Sequence, residues 1–407
     1  MAEVSQPGPA AAFRLMRDRN FGPYFLGNAS SASGTWFQNL AASLLVYRLT
    51  HSPFLLGVLN FCNFVPVLLL APWAGSAADR LDRRRLLLVT QLGSTVVSAG
   101  LAALAFAGLA RVWVVIACAV LLGIGSAFAA PASSALISDL VTREHLGSAV
   151  ALNSMTFNLA RAVGPALAAI SVRTLGIPAS FAINSGSYLL LVLALLVVHP
   201  APRRLARRGE ARLRDSLKLI RERPQLLGFL LIVTAVGFAS DPVNTESPAF
   251  AHAFGRPDTD AGYLIGAFGG GAVLAAFLVA GRVAGSRGRM LVTLGLLGGG
   301  MVAYSLVPWL SLGYVFIGVA GFGYLASNTA ATSRLQLDVE DHQRGRIMAL
   351  WSVAFLGLRP IASLMDGAIA GAFGVRSAGV VLALPVLAIA GVIYFLQRHH
   401  RTLTKRV

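Results

Sequence analysis

Charged side chains inside otherwise apolar stretches are the first candidates for chemistry in this sequence. The segment GFASDPVNTESPAFA, residues 237–251, places Asp241 and Glu246 five residues apart. Since a carboxyl group held away from water favours its neutral form, Asp241 is predicted to bind and release a proton or to contact substrate. Glu246 is a second candidate for coupling or substrate binding, although it is predicted to lie nearer the outer surface, where a place in the mouth is the alternative. Arg161 and Arg359 could hold anionic substrate groups or tune a carboxylate, or they could tie helices together.

Polar residues of the first apolar stretch form a second group of candidates. Asn28, Trp36 and Gln38 are predicted substrate contacts, because a lipid-facing surface could not hold so many polar groups cheaply. Hydrogen bonds between helices would explain the same residues. Asp366 lies near the outer end of a later stretch, where a rim or gating role is considered but is not the favoured interpretation.

The solvent around these side chains can be inferred from composition. Of 407 residues, 56% are hydrophobic and only 13% are charged, and the mean hydropathy is +0.69. Soluble domains usually carry about 25% charged residues. The run Phe181–Val198 contains no charged residue at all. Since runs of about 20 apolar residues cross a bilayer core as helices, the sequence predicts an all-α polytopic membrane protein.

Polar breaks between the apolar runs predict twelve transmembrane helices. They are placed near residues 20–47, 53–78, 85–109, 112–137, 146–170, 177–198, 225–250, 260–281, 289–307, 310–333, 346–372 and 376–397. Two prolines in the seventh helix, Pro242 and Pro248, can break it and expose backbone to a cavity.

The longest polar segment divides these helices into two sets of six. The sequence therefore predicts two pseudo-symmetric six-helix bundles, at 20–198 and 225–397, joined by a basic cytoplasmic linker, 199–224, with tails at 1–19 and 398–407. A repeat supports this division.

The repeat pairs one stretch from each half. The pattern ALxSxxFxxxR ends at Arg161 in the first half and at Arg359 in the second, at a constant offset of 198. Repeated halves of six helices are typical of transporters whose bundles rock around a central site.

Basic residues predict the orientation. Of the 34 lysines and arginines, 27 lie in the two tails and in alternate loops. Because basic segments resist translocation, both termini are predicted to be cytoplasmic. The same bias accounts for the net charge of +17 without a nucleic-acid partner.

Several other classes of function are excluded by missing motifs. The sequence has no Gly-x-x-x-x-Gly-Lys-Ser/Thr loop for ATP and no His-Glu-x-x-His metal motif. Cys62 and Cys118 both lie in apolar runs, where packing is the expected role. We therefore expect no enzyme activity, no metal and no cofactor.

A charged loop lies between the second and third helices, in the stretch GSAADRLDRRR. Gly75, Asp79, Arg80 and Arg83 of this stretch resemble the signature loop of the major facilitator superfamily, with Asp82 in place of its second glycine. Together with LVYRLTHSPFLLGVLNF, LVTREHLGSAVALNSMTFNLARAVGPALA and QRGRIMALWSVAFLGL, it resembles the enterobactin-exporter-like and macrolide-efflux-like subgroup over nearly the whole chain.

The resemblance implies roles for particular residues. Asp79, with Arg80 and Arg83, would form a cytoplasmic gate near the start of the eleventh helix, although a basic loop also orients helices without gating. Gly164 and Pro165 resemble the Gly-Pro of the exporter-type motif, and a plain packing kink is the alternative.

The function implied is secondary active export of a small amphipathic molecule, such as a siderophore, a macrolide or another drug, by alternating access. A proton gradient is the expected energy source, and the protein is expected to work as a monomer in contact with membrane lipid. Two arginines would suit an anionic cargo and two carboxylates a cationic one, and the sequence does not rank them. A lipid flippase or a transporter-like sensor is the alternative within the same fold.

Overall fold

The computed structural model describes the backbone of residues 15–142, 144–200, 220–279, 283, 286–340 and 343–404, and these residues contain helices and no β-strand. The helices of the first half are α1 (Phe21–Thr50), α2 (Pro53–Arg80), α3 (Arg83–Phe106), α4 (Val112–Leu140) and α5 (Leu146–Val197). Those of the second half are α6 (Pro224–Thr245), α7 (Ser247–Ala253), α8 (Ala261–Val279), α9 (Arg287–Leu306), α10 (Leu310–Leu337), α11 (Arg344–Ser352), α12 (Arg359–Phe373) and α13 (Val375–Thr404). A 3₁₀ turn, Asp258–Asp260, precedes α8, and a π-helical turn, Val353–Gly357, joins α11 to α12.

All twelve predicted helices overlap helices of the structure, so the all-α polytopic fold is confirmed. Ten helical stretches of the described chain are long and apolar enough to cross a membrane. The difference from twelve has two causes. Polar residues dilute the hydropathy of α1 although it is 30 residues long. The predicted fifth and sixth helices are counted together as one stretch, 163–197, although the chain leaves helical geometry between them at Gly176, with φ 86° and ψ 167°.

Two other predicted helices are interrupted. The seventh ends at Thr245, and α7 resumes at Ser247, with Pro248 in its first turn. Pro242 lies inside α6 without ending it, so the break occurs at Glu246 and not at both prolines. The eleventh helix contains the π-helical turn and restarts with Arg359 and Pro360.

The charged loop between the second and third helices is shorter than predicted. Helix α2 continues to Arg80, so Gly75 and Asp79 are helical and two residues, Leu81 and Asp82, connect it to α3. The Asp82 carboxylate accepts a hydrogen bond from the Arg85 amide at 2.8 Å. An aspartate whose side chain accepts a hydrogen bond from an amide of the first turn stabilises the start of a helix. Asp82 therefore begins α3 at the position where the signature loop has its second glycine.

The chain forms two compact units. The first consists of residues 1–45 and 65–207. One core cluster of this unit joins residues of α1 to α5: Phe21, Tyr24, Ala78, Leu87, Ala132, Leu136, Ile137, Leu140, Ala149, Leu191 and Leu195.

The second unit consists of residues 46–64 and 208–407, so it includes the end of α1 and the beginning of α2. Helices α8 and α10 approach each other at glycines: Gly271 lies against the backbone of Gly318, and Gly321 against that of Phe268. Gly57 of α2 lies similarly close to Gly367 of α12. Small residues allow membrane helices this separation.

Three of the predicted parts of the chain extend beyond the described residues. Residues 201–219 of the linker, 1–14 of the first tail and 405–407 of the last tail lie outside them. The predicted boundaries of the two bundles stay a prediction.

Large apolar side chains are exposed around the described helices. Trp73, Trp113 and Phe277 are among the most exposed of them. In water such a surface would favour aggregation, whereas a bilayer solvates it. The exposed surface therefore agrees with the polytopic assignment.

Candidate functional site

Asp241 lies at the centre of a polar cluster in the second unit. It is in the penultimate turn of α6 and is 1% exposed. Its Oδ2 accepts a hydrogen bond from Thr245 Oγ1 at 2.9 Å, and its Oδ1 accepts one from Ser363 Oγ of α12 at 3.1 Å. Arg359 Nε lies 3.8 Å from Oδ1. Two hydroxyl donors and a cation thus compensate the carboxylate charge.

Arg359 begins α12, directly after the π-helical turn. Its side chain is 12% exposed, and its guanidinium carbon lies 4.4 Å from the centroid of the Phe64 ring of α2. A cation over an aromatic face is stabilised electrostatically, most of all where water is scarce. The Arg359 guanidinium therefore lies between the Phe64 ring and the Asp241 carboxylate. An arginine that interacted only with the end of its own helix would need neither contact.

Glu246 and Asp366 are fully buried, and neither prediction from the sequence anticipated this. Glu246 occupies the break between α6 and α7. Its amide donates to the Pro242 carbonyl at 3.0 Å and its carbonyl accepts from the Phe250 amide at 2.8 Å, so its backbone is satisfied. Both side-chain oxygens of Glu246, and both of Asp366, lack a hydrogen-bond partner in the described part of the chain. Neither residue lies at an exposed mouth or rim.

One face of α12 supplies three members of the cluster. Arg359, Ser363 and Asp366 are separated by four and three residues, a spacing that aligns side chains on one side of an α-helix. The sequence shows this spacing, but it does not show that Asp241 faces it. Ser363 is the member that sequence reasoning missed, and its position four residues after an intramembrane arginine was the available signal.

In the first unit, the predicted substrate contacts of α1 have protein partners. Asn28 Nδ2 donates to Asn153 Oδ1 at 2.8 Å. Gln38 is 3% exposed, and its Oε1 accepts hydrogen bonds from Ser98 Oγ at 2.6 Å and from Asn184 Nδ2. These contacts match the interhelical hydrogen bonds that were the alternative, and the substrate role stays a prediction.

Gly164 has a packing role. A Cβ placed on it would lie 2.9 Å from Trp36 Cβ and 3.2 Å from the Ser33 carbonyl oxygen, so the glycine lets α5 approach α1. Helix α5 departs from helical dihedral angles at Gly176, eleven residues beyond Pro165. This residue separates the predicted fifth and sixth helices, and the role of Pro165 stays a prediction.

Arg161 is the remaining intramembrane candidate. Its backbone is part of α5, and its side chain lies outside the described residues. The side chain of Arg346, at the start of the eleventh helix, lies outside them as well.

The charges at the start of α3 bind within the first unit. Arg83 Nη1 lies 2.9 Å from the Asp139 carboxylate of α4 and donates to the Ala135 carbonyl at 2.9 Å. Arg84 donates to the carbonyls of Leu195 at 2.6 Å and Leu196 at 2.9 Å. The last carbonyls of a helix lack partners within it, so Arg84 caps α5 and has more than the orienting role expected for a basic loop.

The other three gate candidates of this segment, Gly75, Asp79 and Arg80, lie in the last turns of α2. Asp79 and Arg80 both face outward, and a Cβ on Gly75 would meet no atom within 4 Å. Their gating role stays a prediction.

Ionisable side chains inside membrane helices are rare and usually belong to substrate or ion pathways, as the buried pair of Asp241 and Arg359 would in a membrane transporter. Residues 10–403 match the transmembrane secretion effector family, so the chain belongs to this family of major facilitator transporters. The predicted family and the predicted absence of an enzyme role are confirmed by this match and by the transporters that the chain resembles.

Several named proteins are similar over most of their length. The Staphyloferrin A transporter of Staphylococcus aureus is 29% identical, with 90% of this chain and 93% of the relative covered. The multidrug efflux pump Tap of Mycolicibacterium fortuitum is 25% identical over 91% and 93%. The enterobactin exporter EntS of Shigella boydii is 25% identical over 89% and 91%. A solved bacterial homologue of the human lysosomal transporter Spinster shares the fold, with a TM-score of 0.75 at 14% identity over 97% and 98%.

Proposed function

We propose that this protein is a proton-coupled secondary exporter that moves a small amphipathic molecule across the bacterial cytoplasmic membrane by alternating access. The observation that carries this proposal is the buried pair of Asp241 and Arg359, surrounded by two further buried carboxyl groups. Ionisable groups inside a membrane are costly and usually belong to ion or substrate pathways. In the described residues, Asp241 has a cation partner, whereas no side-chain partner is found for Glu246 and Asp366. A cluster that combines these two kinds of acid is suited to exchanging a proton.

Similarity supports export and a choice of cargo. Relatives named for siderophores and for drugs match nearly the full chain, so a siderophore, a macrolide or another amphipathic drug is the proposed substrate. Arg359, together with Arg161, would bind anionic groups of the cargo, and Asn28, Trp36 and Gln38 would be the contacts from α1. Both termini would face the cytoplasm, and the protein would work as a monomer. The proton gradient would supply the energy for transport, and no cofactor would be needed.

Neutralising Asp241 tests the proposed coupling. We expect Asp241→Asn to abolish proton movement that depends on substrate, because asparagine cannot balance the charge of Arg359 inside the cluster of buried acids. Purified protein would be reconstituted in liposomes with a pH-sensitive dye inside. Internal pH would be recorded under an imposed pH gradient as enterobactin, staphyloferrin A or a macrolide antibiotic is added.

The matched control is Glu144→Gln, which removes an exposed carboxylate between α4 and α5. This variant should behave as the wild type. Substrate that crosses the membrane in the wild-type protein without any change of internal pH would contradict proton coupling. Equal proton movement in Asp241→Asn and wild type would show that Asp241 has no part in it.

Changing Asp79 tests the proposed gate. Asp79→Asn should slow transport in the same liposomes while leaving membrane insertion and thermal stability unchanged, because the residue is exposed and packs no core. Arg85→Gln, which also removes an exposed charge close to this connection, is the control and should retain the wild-type rate. A wild-type rate in Asp79→Asn would leave the segment with an orienting role alone.

A further inference from the structure

We propose that Glu246 and Asp366 are each protonated and hold the protons that the exporter moves, while Asp241 stays ionised against Arg359. This inference rests on the proposed proton coupling and assigns its parts to different residues. Each proton is taken from water on one side of the membrane and returned to water on the other, so no further reactant is required.

The first argument is the difference in partners among three buried acids. Asp241 has two hydroxyl donors and an arginine within reach. Glu246 and Asp366 are 0% exposed, and none of their four oxygens has a hydrogen-bond partner in the described chain. An ionised carboxylate without such partners is very costly in an apolar interior, so the group takes up a proton instead. The geometry therefore separates one ionised acid from two neutral ones.

The second argument is the balance of charge. Among the described residues, the groups within electrostatic reach of Glu246 are Asp241, Asp366 and the Tyr47 hydroxyl, and those within reach of Asp366 are Glu246 and Asp241. Arg359 pairs with Asp241. Three ionised acids would set three negative charges against the cation of Arg359, and like charges in a medium of low dielectric repel strongly. Protons on Glu246 and Asp366 remove that repulsion and leave Asp241 and Arg359 as a balanced pair.

The third argument is the position of Glu246 at a helix break. Discontinuous helices inside transporters commonly provide the sites for coupling ions. Glu246 joins α6 to α7 with its backbone hydrogen bonds complete, so only its side chain is unsatisfied. A change of angle at this break would move the Glu246 carboxyl group relative to α12 and Asp366, which gives the proton a route to leave.

Infrared spectroscopy of the purified protein tests the assignment without any substrate. At neutral pH the wild type should show the carbonyl stretch of buried carboxylic acids. Glu246→Gln and Asp366→Asn should each lose part of this band, and the double variant should lose it. Asp241→Asn should keep the band, because its carboxyl group is ionised in the wild type.

A buried but paired acid serves as the control. Asp260 is 2% exposed and its Oδ2 lies 2.9 Å from Arg256 Nε, so Asp260→Asn should leave the band unchanged. In liposomes, Glu246→Gln and Asp366→Asn should lose proton movement driven by enterobactin or a macrolide. Both substitutions are close in shape to the native residues, and the wild-type spectrum gives a result even if a variant is unstable.

The outcomes separate this inference from the proposed function. A wild type without the band, or a band lost in Asp241→Asn and kept in the other two variants, would overturn the inference while proton coupling still stands. A wild type that shows the band but moves no proton would overturn the proposed function, and with it the transport role of the two acids.

Discussion

Replacing Arg359 with methionine is expected to lower the free energy of unfolding by about 3–5 kcal/mol, because it leaves the Asp241 carboxylate buried without its cation. Methionine preserves an unbranched apolar side chain, so packing against Phe64 is largely kept and the charge is what changes. Thermal unfolding in detergent, followed by circular dichroism, measures the effect. The matched change Arg48→Met removes an arginine that pairs with Asp258 but is 44% exposed, and should cost less than about 1 kcal/mol.

A double variant isolates the pair from its parts. Asp241→Asn combined with Arg359→Met removes both charges, and most of the stability lost in Arg359→Met should return, since no uncompensated charge remains. Should the double variant be as unstable as the single one, the loss would come from packing and the electrostatic account of this pair would be wrong.

Replacing Gly271 with alanine should destabilise the second unit by ~1–3 kcal/mol. A Cβ at this position would overlap the carbonyl oxygen of Gly318 and lie 2.8 Å from its carbon. These are backbone atoms of α10, so no side chain can rotate away and the two helices must separate. The same thermal unfolding experiment measures the change.

The neighbouring glycine provides the control. A Cβ on Gly270 would meet no atom within 4 Å. Gly270→Ala should therefore be neutral or stabilising by up to ~1 kcal/mol, since alanine favours helix more than glycine does. Equal losses in the two variants would show that helix packing at Gly271 is not what limits the substitution.

The sequence predicted where the helices run, because apolar length is a direct requirement of the bilayer. It did not predict how they are interrupted. Pro242 and Pro248 looked equivalent, yet Pro242 stays inside α6, while Pro248 lies in the first turn of α7. Proline is tolerated in a first turn, where the missing amide would be unpaired anyway, and elsewhere its effect depends on neighbouring helices.

The sequence predicted which residues belong to the candidate site better than it predicted how those residues are arranged. Asp241 and Arg359 were recognised because a charge inside an apolar run is rare, and a single sequence does not show that residues 118 positions apart are partners. Glu246 and Asp366 were placed near the outer ends of their helices by counting residues. That count gives depth along a helix and does not show whether a side chain is exposed, and both side chains are fully buried.

The π-helical turn Val353–Gly357 gives the two repeated stretches different shapes. In the first half, the backbone over residues 150–161 is α-helical throughout, and in the second the matching stretch contains the wider turn. Residues seven apart share a face of an α-helix, whereas one additional residue in a turn rotates the rest of the helix by about 100°. The spacing of the two arginines along the sequence is therefore the same in both stretches, but the backbone that carries them is not. Exchanging side chains alone between the two stretches would leave this difference in backbone geometry in place.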